Sequence, residues 1–249
     1  LRWELWNVLS QLSVTILIAF LILQWPWSVQ VGIAFALILL TDLAYRTWPI
    51  AGYDQPFVQG ENFGSWVDLL LMGKVNGDGW VAINCITTAA HTIWGVVAGQ
   101  LLQSDRGPNQ KVGLLPLWGL PLLAVGYGLD AAGIAPIIKR ICTSSFVIIS
   151  GGWSLIALAA LYWIVDVAEQ RRWGWMFLVI GMNPIFISLF SETIGRQWLN
   201  DAVAIFTDGA LLPLGASDQT MQLTAASAVL TLEWLLCFWL YRRKIAIQI

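Results

Sequence analysis

Pro136–Asp166, PIIKRICTSSFVIISGGWSLIALAALYWIVD, decides the fold. A short basic juncture, Lys139-Arg140, runs into a stretch from Ser144 to Val165 without a single charge, and Asp166 closes it. At about 1.5 Å of rise per residue, roughly 20 apolar residues match a hydrocarbon core of about 30 Å, so this stretch reads as a membrane-spanning helix. At its middle, Gly151-Gly152-Trp153-Ser154 sets small residues beside one indole. Small residues let a neighbouring helix approach closely or leave room for a ligand, and close packing is the expected use.

The composition agrees with that stretch. Of 249 residues, 58% are hydrophobic and 11% charged, and the mean hydropathy is +0.71. A soluble domain carries roughly 25% charged residues, so the chain is expected to be all-α, a polytopic transmembrane helix bundle forming one integral-membrane domain over residues 1–249. The formal charge of −2 excludes nucleic acid as a partner, because no basic field exists to displace counterions from phosphates. Several of the 16 tryptophans, among them Trp25, Trp27, Trp48 and Trp175, stand where interfacial aromatic belts belong. Cys85, Cys142 and Cys237 are odd in number and widely spaced, which suggests neither a disulfide framework nor a metal site.

Seven spans are expected: Leu5–Leu23, Ser28–Ala44, Trp80–Leu102, Gly113–Leu129, Ser144–Val165, Gly174–Leu189 and Met221–Leu240. Asp42, four residues before Arg46, is expected to pair with it across one helical turn, the alternative being a polar cavity. Residues 49–78 are too polar to span and form the longest extramembrane loop, with a short amphipathic helix over Asn62–Met72. Its acids, Asp54, Glu61, Asp68 and Asp78, are expected to edge the extramembrane face. That loop is either a solvated connection or a lid over a polar substrate. Pro116 and Pro121 predict a kinked fourth span, Asn183-Pro184 breaks the hydrogen-bond ladder of the sixth, and Ser191–Gln219 reads as a re-entrant or interfacial helix.

His91, the only histidine, lies within the third span. An imidazole there needs a partner: either a threonine or backbone carbonyl satisfies it, or it handles protons or binds a ligand. The basic end Arg242-Arg243-Lys244 orients the array. Placed in the cytoplasm, it sets Leu1 outside and leaves seven basic residues inside against six outside.

Four stretches together, TAAHTIWGVVAG, APIIKRICTSSFVIISGGWSLIALAALYWIVDV, IGMNPIFISLF and LYRRKIAIQI, resemble the bacterial relatives of heparan-alpha-glucosaminide N-acetyltransferase. They occur in that family's order and spacing from about Val8 onward. The resemblance implies a membrane acyltransferase of the bacterial inner membrane that takes an acetyl group from cytoplasmic acetyl-CoA and delivers it to an amino sugar or related glycan on the far side. It implies Asn183 and His91 as candidate catalytic residues, with Arg171, Arg172, Arg242 and Arg243 drawing the CoA phosphates. It also implies N-terminal helices, carrying an Asp-x-x-Arg-Gly stretch and a histidine assigned to acetyl transfer, that would precede Leu1. Two departures count against catalysis: Ser10-Gln11 replaces the family's Gln-Arg, and Asp78-Gly79-Trp80 replaces Asp-Pro-Glu-Gly. The alternatives are an idle relative serving as a structural subunit of a larger membrane assembly or a homo-oligomer, and, third, a transporter, for which the sequence shows no internal repeat.

Overall fold

The computed structural model describes residues 4–247, with Trp173 and Leu214 described by backbone alone. Among the described residues every regular element is helical. The chain forms two units, divided after Ala168.

In the first unit, α1 (Val8–Leu21) and α2 (Trp27–Thr47) pack on α4 (Asn84–Gln103), and α5 (Pro108–Ala131) packs along α6 (Ser144–Tyr162). A π-helical turn, Trp163–Val167, prolongs α6. The amphipathic loop helix is α3 (Phe63–Met72). The Asn62 side chain caps it by accepting from Ser65 N, and Gly73 ends it in the left-handed region at φ 68°. The second unit contains α7 (Trp175–Gly181), α8 (Pro184–Phe190), a π-helical segment Ser191–Leu199, α9 (Asn200–Leu211) and α10 (Asp218–Arg242).

Among the described residues five helices are long and apolar enough to cross a membrane: α2, α4, α5, α6 with its π-helical turn, and α10. The count is six if α7 and the Pro184–Leu211 helix, bent by 76°, form one span. The first expected span is shorter than its apolar run: Asn7 caps α1 at Val8, leaving 14 residues, roughly 21 Å by helical rise. The expected sixth span is broken. Pro184 has no N–H to donate and pushes the preceding residue out of the helical region, and Asn183 sits at φ −135°, ψ 53°. Within Ser191–Gln219 the helix continues from α8 through the π-helical segment into α9, and its 76° bend against α7 makes the pair a broken span or a re-entrant loop. The fourth span is one continuous helix of 24 residues with both prolines inside.

Glycine sets the packing distance in the first unit. A Cβ on Gly152 would stand 2.8 Å from the Gly119 carbonyl oxygen, and one on Gly119 would stand 2.8 Å from that of Gly152, so α5 and α6 meet backbone to backbone. A Cβ on Gly151 would lie under 3 Å from the Trp94 ring of α4. The Gly-Gly pair therefore serves close packing on two neighbours at once.

Candidate functional site

The richest polar constellation lies where α2 and α5 end and α4 and α6 begin. The Asp42 carboxylate takes the Arg46 guanidinium at 2.5 Å and the Ser144 hydroxyl at 3.0 Å, while Arg46 also donates to the Ile134 carbonyl. The expected pair is present, and it ties α2 to the start of α6 and to the connection after α5. Behind it, Asp42, Tyr45, Thr87, Cys142, Thr143 and Ser144 line a cavity of about 10 Å³. The Tyr45 hydroxyl and Thr87 Oγ1 are buried with no hydrogen-bond partner among the described residues. A cavity of roughly 10–15 Å³ accepts one water, and two orphaned hydroxyls give such a water its partners. The Tyr45 ring reaches this position because residue 64 is glycine, whose missing Cβ leaves room for the hydroxyl.

Cys142 adopts φ 48°, and burial pushes its thiol up to about 12, against a smaller opposing effect of Lys139. Its Sγ–H donates to the Lys139 carbonyl at 3.4 Å.

Asp68 corrects the expectation for the loop acids. It is fully buried on the inner side of α3 and accepts from Trp6 Nε1 at 2.7 Å and from the Ala82 backbone N–H at 2.9 Å. Burial raises its pKa above the ordinary carboxylate value, and the two donors oppose that rise. Leu69, Leu70 and Leu71 are exposed on the same helix, so its apolar face suits lipid and its carboxylate serves the interior.

His91 sits deeper, on α4. Its Nε2 lies 3.0 Å from the Val147 carbonyl oxygen and 2.8 Å from Ser150 Oγ, both on α6. A carbonyl only accepts, so Nε2 carries the proton and donates. Ser150 spends its own proton on the Phe146 carbonyl at 2.6 Å, which leaves its oxygen to accept. The Trp94 ring stands edge-on at 6.0 Å. Any proton acceptance by a neutral His91 falls to Nδ1.

Asn183 belongs to the second unit and is fully buried. Its amide nitrogen donates to the Ile245 carbonyl at 3.1 Å, and its oxygen accepts from the Ile247 N–H at 2.7 Å. Both ends of the amide thus hold the tail that follows α10. Arg242 and Arg243 are exposed at the end of α10 and, with Trp239, line a recess of about 430 Å³. Arg171 and Arg172 are exposed before α7. That helix lies against the last turns of α10, with the Trp175 ring 5.3 Å from Trp234 and 6.0 Å from Phe238. Glu233 on α10 keeps a buried Oε1 without a hydrogen-bond partner among the described residues, beside Gly195 of the π-helical segment. Among the described residues no group of three or more His, Cys, Asp and Glu side chains could hold a metal ion.

Neither a family model nor a curated protein matches this chain.

Sequence reasoning passed over Tyr45, Thr87 and Ser144. Only Asp42 inside an apolar run pointed to their cavity. The inward turn of Asp68 had a signal too, since three and four residues back it falls beside Ser65 and Gly64, the other buried residues of the helix.

Proposed function

We propose that the chain belongs to a membrane acyltransferase that takes an acetyl group from acetyl-CoA and passes it to an amino sugar or related glycan across the bilayer. The observation that carries this reading is the recess of Trp239, Arg242 and Arg243. An indole face beside two guanidiniums suits an adenine ring and its phosphates, because guanidinium meets phosphate in a bidentate fork. In this reading Arg171 and Arg172 add to the same positive field, Asn183 is an auxiliary donor, and His91 offers Nδ1 for proton transfer.

The same reading takes α1 and the bent pair as spans, which brings the count to seven, with the start of the chain outside and Arg242 and Arg243 in the cytoplasm. Labelling from outside tests the orientation: a cysteine replacing Gln59 reacts and one replacing Gln170 does not. The reverse pattern inverts the topology.

Isothermal calorimetry on the detergent-solubilised protein tests the function. Acetyl-CoA binds, and Arg242→Glu with Arg243→Glu abolishes binding. No heat with or without an amino sugar present ends the transferase reading. It leaves the chain as a structural subunit of a larger assembly, a role favoured by one observation: both ends of the Asn183 amide already hold the C-terminal tail.

A further inference from the structure

Away from the polar constellation, two cavities of the first unit adjoin at three shared residues and outline one slot. The first, about 290 Å³, is walled by α2, α4, α5 and α6 and is almost wholly apolar, with Phe35, Trp94 and Leu117 among its lining. The second, about 200 Å³, shares Trp27, Val97 and Trp118 with it and opens between α4 and α5 at Gln100, Ser104 and Arg106. The slot is therefore amphipathic along its length, apolar at depth and polar with one cation at its mouth.

Its length fits one leaflet. From Trp94 to the end of α4 at Gln103 is roughly 14 Å by helical rise, about half of a hydrocarbon core of about 30 Å. Trp27 stands at the start of α2, level with the mouth, where a tryptophan at a membrane interface belongs. Arg106 is exposed in the short link between α4 and α5 and takes part in no hydrogen bond or ion pair among the described residues. A guanidinium with all its donors available at the head of an apolar channel is complementary to a phosphate bearing an acyl chain.

We propose that this slot holds one acyl chain of an anionic glycerophospholipid, with the lipid phosphate on Arg106 and the chain running past Trp27 and Val97 towards Trp94. The site depends on the first unit alone and stands or falls separately from acetyl-CoA binding at Arg242 and Arg243.

Native mass spectrometry of the intact chain tests it, with phosphatidylglycerol and phosphatidylcholine of identical acyl chains titrated into the delipidated, detergent-solubilised protein. One phosphatidylglycerol is retained with about tenfold preference over phosphatidylcholine, whose own quaternary ammonium offsets the phosphate charge that Arg106 would otherwise meet. Arg106→Glu removes the preference, and Arg106→Gln, which adds no charge of opposite sign, weakens it. Leu117→Trp fills the slot from its exposed side and reduces retention of both lipids; because Leu117 is 62% exposed, the change leaves the interior packing intact. A thermal melt of each variant confirms that it is folded. Equal retention of the two lipids by the unaltered protein, a preference that survives Arg106→Glu, or full retention by a folded Leu117→Trp protein overturns the proposal and means annular lipid only. Displacement of phosphatidylglycerol by excess inorganic phosphate also overturns it, since the site would then recognise a free anion and not a lipid.

Discussion

The two units hold their helices by different means. In the first, helices touch through absent side chains: Gly119 faces Gly152, Gly151 receives the Trp94 ring, and polar groups, buried Asp68 and half-buried Asp42 and His91 among them, stitch neighbouring elements together. In the second, Gly174, Gly181 and Gly209 have open space where a Cβ would stand. There the ties are an aromatic cluster of Trp175, Trp234 and Phe238 and one buried amide, Asn183. Lipid is as apolar as leucine, so burying more leucine gains little between membrane helices, and close backbone approach or a satisfied polar contact decides the packing. The first unit uses both and the second mainly the latter.

Replacing a contact glycine should break the first unit hardest. Gly152→Leu drives a side chain against the Gly119 carbonyl, and overpacking of this kind costs about 1–3 kcal/mol and more where backbone must move. A large fall in the detergent melting temperature is expected, and an unchanged melt would show that α5 and α6 do not meet as described. Next in size is Asn183→Ala, which strips partners from the Ile247 N–H and the Ile245 carbonyl at a cost of about 1–3 kcal/mol. Limited trypsin digestion reads it locally, with faster cleavage at Arg243 and Lys244 and no change in the digestion of the first unit.

The pH response belongs to Asp68. Its folded pKa lies above the ordinary 3.8, so the folded protein binds its proton more tightly than the unfolded chain does. That contribution is complete below the unfolded value and is lost as pH rises through the raised one. Stability should therefore fall with pH across this window by at most about 1.4 kcal/mol per unit, then level off. Asp68→Asn should flatten the profile, at the cost of one of the two hydrogen bonds; a slope that persists in that variant assigns the response elsewhere. The smallest effect sharpens the contrast from the other side. Gly209→Ala lies in α9 with nothing within 4 Å, so it should leave the melt unchanged or raise stability by about 0.5–1 kcal/mol through helix propensity.

The bodies of the long helices were legible because charge-free runs of membrane length have few other uses, and the cap of α3 was visible in Asn62. Their ends were less so. Asn7 stops α1 through a hydrogen bond to Leu9 N, a local event inside an otherwise apolar approach. The need of His91 for a partner was readable, and a backbone carbonyl stood among the expected partners. That the partners are Val147 and Ser150, 56 and 59 residues away, follows from how α4 and α6 are set against each other, which no local pattern encodes. Asn183 was readable as a break before proline. Its grip on Ile245 and Ile247 was not, because a tail bond 62–64 residues distant leaves no periodic trace.

The Gly119–Gly152 contact also has a mechanical side. Two backbones in direct touch have no flexible side chains between them to slide or repack, and side chains, not carbonyls, supply the give in most helix interfaces. The α5–α6 pair should thus behave as one stiff beam through any cycle the protein performs. Whatever rearrangement opens or closes the first unit must be taken up by elements that move past this beam, and α2, tied to the start of α6 by the hydrogen bond from Ser144 to Asp42, is the natural sliding part.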